Sequence, residues 1–140
     1  MSQAQKLSWT EAQTANRLRV YRVLFLISIV VNVIIGLWCI FNPVGFAQLV
    51  LGLDPYPEAW PRVWGATVLG LQLVYVPGLR NPLFYRWPNW SSIAIKFFLG
   101  IIFVSAGSSF SLLAVWEFGS GVILLVAYYR LALADVTGNP

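Results

Sequence analysis

Two residues of opposite charge stand out by where they sit. Lys96 interrupts the apolar stretch "SSIAIKFFLGIIF", and Glu117 interrupts "SFSLLAVWEFGSGVILLVAYY". If the chain reverses at Ala106-Gly107-Ser108, each lies about ten residues from the turn. At about 1.5 Å rise per residue, antiparallel helices then carry them to the same depth. An unpaired charge in an apolar layer costs on the order of 3 kcal/mol, so the two should form an ion pair or find neutral partners. Gly100 is one turn from Lys96 and Gly121 one turn from Glu117, and small residues there allow the backbones to approach. Two chemistries are open to such a pair. It can lock the register of its helices, which is the role expected here. Alternatively, Glu117 can exchange a proton or the pair can anchor a polar ligand.

Other polar groups fall where they could face the same interior. Asn32 lies near the middle of the first apolar run, Gln72 within the second, and Arg62 at the start of the second. Gly65 and Gln72, seven residues apart, share a helix face, while Ala66 and Gly70 make a small-xxx-small step. Asn and Gln in such settings are expected to bridge helices. Arg62, beside Trp60 and Trp64, is expected to touch lipid phosphate or cap the outer loop. Tyr75, Phe97, Phe98 and Trp116 could line an aromatic pocket, against the simpler expectation that they face lipid or packing. The chain has no histidine and one cysteine. That removes the usual haem, zinc, copper and di-iron ligand sets and the commonest general base. Cys39 alone supports neither a disulfide framework nor a cysteine metal cluster. No metal site and no intrinsic cofactor are expected.

These residues must be held by elements suited to an apolar surround. Of 140 residues, 59% are hydrophobic and 10% charged, with a mean hydropathy of +0.73, which is membrane-protein composition in a single domain. The net charge of +4 is spread over several loops without a nucleic-acid motif, so it reads as a topology signal. Four spans are expected: about 21–41, 60–76 (closed by Pro77-Gly78), 91–106 and 109–129 (closed by Arg130). A capping box at Ser8 to Glu11 places a helix start near Trp9, so that residues 1–20 form a cytoplasmic helical lead. A polar lead of about 15 residues without a following cleavage site indicates retention as a membrane helix.

Lys6, Arg17, Arg19, Arg22, Arg80, Arg86 and Arg130 fall on the side of the termini, against Asp54, Glu58 and Arg62 on the other. The positive-inside rule then places both termini in the cytoplasm. In the first outer loop, Asn42 can cap a short helix with Pro43 at its first position, and Gly52 can end it. Its apolar residues suggest an interfacial segment. The expected fold is therefore an all-α, antiparallel four-helix membrane bundle with a short interfacial helix.

The order "FNPVGFAQLVLGLDP", "WPRVWGATVLGLQLVY", "GLRNP", "IKFFLG" and "VWEFGSG" resembles the small four-helix DoxX-like membrane proteins over about residues 20–130. The resemblance implies an accessory membrane subunit or a quinone-proximal role, and carries over no catalytic residue. The expected function is an accessory or assembly subunit of a larger inner-membrane complex, working by packing against other subunits, lipid, quinone or pigment. A quinone-binding subunit and an oligomeric proton-coupled transporter or channel are the alternatives. The expected partners are membrane lipids, with other subunits or further copies of the chain, and not nucleic acid.

Overall fold

A computed structural model describes the backbone of residues 3–54 and 58–138 and the side chains of 11–54 and 58–136. Loop residues 55–57 and the side chains of Lys6 and Ser8 fall outside the described set. All regular structure in the described residues is helical: α1 (Gln3–Phe41), α2 (Pro43–Phe46) continuing as a π-helical turn (Ala47–Leu51), α3 (Ala59–Arg80), α4 (Arg86–Ser105), a 3-10 turn (Ser108–Phe110) and α5 (Ser111–Gly138). The four long helices form a ring, with α1 against α3 and α5, and α4 against α3 and α5.

Helix boundaries depart from the sequence expectation at several points. The helix of the lead begins at Gln3, not near Trp9, because the residues before Ser8 are mostly good helix formers. Ser8 therefore lies inside the helix, not at its cap. Pro77-Gly78 does not close α3. Pro77 lacks an N–H, yet the next turn forms, with Asn81 N donating to Pro77 O at 3.1 Å. Helix α4 starts at Arg86, five residues before the expected Ser91, since Pro88 in the first turn has no N–H to leave unsatisfied. Arg130 does not close α5, which runs on to Gly138.

The short helical element after Asn42 does form. Asn42 Oδ1 accepts from Gly45 N at 2.9 Å, Pro43 opens the helix, and Gly52 ends the segment at φ 63°. Phe46, Ala47 and Leu51 turn inward, while Leu49 remains exposed.

Three stretches are long and apolar enough to cross a membrane: Glu11–Phe41, Arg86–Ser105 and Ser108–Val136. This points to a membrane protein. Helix α3 is not among them. Within its 22 residues it carries Arg62, Gln72 and Arg80, along with prolines and glycines that dilute its apolar character.

The interior has two apolar clusters. One, at the end bearing the chain termini, is built on Tyr21, Phe25, Tyr75, Ile93, Leu124 and Tyr128. The other, beneath the short element after Asn42, holds Cys39, Phe46, Leu51, Phe103 and Leu113, with Trp60 and Trp64 packed against it. The buried charges lie between the two.

Candidate functional site

Helix periodicity explains why the charges meet. On α4, Asn89, Ile93, Lys96, Gly100 and Phe103 form one buried stripe at steps of three and four. On α5, Leu113, Glu117, Gly121, Leu124 and Tyr128 do the same. Gly107 turns the chain at φ 108° between the two helices and sets the stripes face to face. Lys96 Nζ then lies 3.0 Å from Glu117 Oε2, with the two side chains only 5% and 9% exposed. Gly121 lies against Lys96, and a Cβ there would meet the lysine Cβ at 3.3 Å. Gly100 instead receives the ring of Phe118, which would lie 2.9 Å from an added Cβ.

Other helices complete the surround. The Trp116 ring centroid lies 5.5 Å from Lys96 Nζ, close enough for a cation–π contact. Trp116 Nε1 donates to Asn32 Oδ1 at 3.1 Å, tying α5 to α1. A cavity of about 30 Å³ lies beside the pair, lined by Asn32, Gln72, Tyr75, Ser92, Lys96 and Glu117 among others. That is room for about one water molecule, whereas small-molecule pockets run to about 300 Å³ and more.

Several singled-out residues take other roles. Gln72 is buried but donates to Val68 O of its own helix at 2.9 Å, so it is not a bridge between helices. Arg62 is remote from the pair. It donates to Ile40 O at 2.8 Å near the C-terminal end of α1, with Glu58 at 3.7 Å. There it caps carbonyls that α1 leaves free, where a cation is also favoured by the helix dipole. Tyr75 lines the cavity, and its hydroxyl finds no hydrogen-bond partner among the described residues. Phe97 packs on Phe118, whereas Phe98 is exposed, so the four aromatics do not form one pocket.

Gly65 is a packing glycine, meeting α1 where Gly36 O would lie 2.6 Å from an added Cβ. Gly70 is not: it is exposed, with nothing within 4 Å of an added Cβ. Helical geometry places it and Ala66 on the outer face of α3, away from the face that packs on α1.

Sequence reasoning missed a second polar centre. Asn89 is fully buried and accepts from Tyr21 Oη at 2.8 Å. Its Nδ2 donates to Pro82 O at 3.1 Å and Tyr85 O at 2.9 Å, and Tyr128 Oη also donates to Pro82 O, at 3.2 Å. Gly78 makes room for it, since an added Cβ would lie 2.6 Å from Asn89 Oδ1. A signal was present: Asn89 lies seven residues before Lys96 and so shares its helix face. Treating "RWPNW" as a flank of the span hid that relation.

Comparison of the chain with protein-family models, curated proteins and solved structures gives no significant match.

Proposed function

We propose that this chain is an integral membrane four-helix bundle acting as an accessory or assembly subunit of a larger inner-membrane complex. The supporting observation is the closed interior at the buried charges. Lys96 and Glu117 satisfy each other beside a cavity the size of one water, while long apolar faces of α1, α4 and α5 remain exposed. A polar centre closed in this way serves as a lock between helices, and the outer surface is left to do the binding. The resemblance to DoxX-like proteins fits an accessory role.

Helix α3 is the fourth span in this reading. Its 22 residues reach about 33 Å, enough for a hydrocarbon core of about 30 Å. Packing on α1 and α4 shelters Gln72 from lipid. Arg17, Arg22, Arg80, Arg86 and Arg130 gather at one end, where Arg17 reaches Arg130 O and Arg22 reaches Arg80 O. That end is cytoplasmic by the positive-inside rule, and the segment after Asn42 lies in the outer interface.

The quinone reading, if it applies, belongs on the outer grooves, because a cavity of about 30 Å³ holds no quinone ring. Native purification followed by mass spectrometry tests the main reading. Stoichiometric membrane partners are expected, and recovery of a bare homo-oligomer would sink it. Quinone in a lipid extract of the pure protein would move the reading to the alternative.

A further inference from the structure

A groove of about 850 Å³ runs between α1 and α5, walled by Val20, Leu24, Ile123 and Val126. It continues into a second groove of about 270 Å³ that shares Leu24 and Ile123 and reaches Val115. From Arg130 to Val115 is 130 − 115 = 15 residues of α5, or about 22 Å of helix. One leaflet of hydrocarbon is about 15 Å deep, half of a core of about 30 Å. The slot is therefore long enough for an acyl chain laid along the helices.

Its composition changes at one end. Arg17 and Arg130 line the mouth of the larger groove, at the end where the chain's arginines collect. Arg17 Nη1 donates to Arg130 O at 3.0 Å, which fixes that guanidinium at the mouth. The Arg130 guanidinium itself makes no hydrogen bond or ion pair among the described residues, and none of the described ion pairs supplies an acid to Arg17. Two cations with no acid partner among the described residues, at the head of an apolar slot, match one amphiphile: an anion joined to acyl chains. Arginine forks suit phosphate oxygens.

We infer that the α1–α5 groove is a site for an anionic phospholipid, its acyl chains along Leu24, Ile123 and Val126 and its phosphate between Arg17 and Arg130. The inference rests on the membrane placement of α1 and α5 and not on the accessory role. Carbonate extraction of the protein from membranes would refute that placement. Absence of a lipid preference in the unmodified protein, where that protein resists extraction, would refute the lipid site alone.

The test is native mass spectrometry of delipidated protein titrated with phosphatidylglycerol or phosphatidylcholine of identical chains. Retention of phosphatidylglycerol should exceed that of phosphatidylcholine by roughly tenfold or more, given two arginines at the membrane surface. Arg17→Gln with Arg130→Gln should abolish the preference, and Arg130→Gln alone should reduce it, whereas Arg19→Gln, the loss of one charge outside the groove, should keep it. Ile123→Trp, which fills the slot, should weaken retention of both lipids. Circular dichroism in lipid-free detergent checks that each variant is folded. Should the double variant unfold, Arg130→Gln alone decides, because that guanidinium makes no hydrogen bond or ion pair among the described residues. Equal retention of both lipids by the unmodified protein, or an undiminished preference in the arginine variants, would overturn the site. So would a dimer in the absence of lipid that Ile123→Trp dissociates, since the groove would then belong to a second copy.

Discussion

Two polar centres share one face of α4, seven residues apart, and solve the problem of burial differently. At Asn89 a neutral amide accepts from Tyr21 and donates to two carbonyls, and Tyr128 adds a bond to one of the same carbonyls. At Lys96 a charge meets one carboxylate oxygen, Trp116 covers the ammonium, and the Tyr75 hydroxyl nearby finds no partner. The amide centre braces a helix start and a loop carbonyl by donating to both, so it serves the backbone. The ionic centre serves no backbone group. It joins α4 to α5 through side chains alone, so loss of either partner would leave the other charge buried and uncompensated.

Mutations at the ionic centre should have the largest effect. Lys96→Met or Glu117→Leu alone should cost about 3–5 kcal/mol in denaturant unfolding from detergent, because each strands a buried charge. The double substitution should recover most of that loss, and strictly additive losses would disprove the pairing. Asn89→Leu should follow at about 2–4 kcal/mol, since Tyr21 Oη loses its partner and the Pro82 and Tyr85 carbonyls each lose a donor, Pro82 O keeping that of Tyr128. If Asn89→Leu proved costlier than either charge variant, the contrast between the centres would be reversed.

Packing comes next. Gly65→Ala should cost about 1–3 kcal/mol through its clash with the Gly36 carbonyl, whereas Gly70→Ala should stay within about 0.5 kcal/mol, as thermal melting of both would show. The smallest effect belongs to Tyr75→Phe, expected within about 0.5 kcal/mol because no partner is lost. A loss above about 1 kcal/mol would show that the hydroxyl is bonded through a water in the cavity, bringing the ionic centre closer to the amide centre in character.

Much of the architecture was legible beforehand, because it depends on periodicity and local chemistry. The helical class, the turn at Gly107, the short capped segment after Asn42 and the matching depths of Lys96 and Glu117 all follow from spacing along one chain. Helix ends were less legible. "RWPNW" reads as a boundary because proline and tryptophan mark edges, yet a proline in the first turn of a helix starts it without penalty.

Rotation of one helix against another was the part that spacing could not supply. Gly65 and Gly70 are alike in sequence, but only Gly65 faces α1. Gln72 and Asn32 are alike in chemistry, but among the described residues Asn32 hydrogen-bonds to another helix and Gln72 to its own. The sequence by itself determined an apolar helical protein with two opposite charges at one depth. Tertiary structure decided which small residues become contacts, that Arg62 caps α1 far from the charges, and that Asn89 becomes a second centre. The physical reason is that a side chain's partner depends on the azimuth of a neighbouring helix, and packing across the ring of four sets that azimuth jointly.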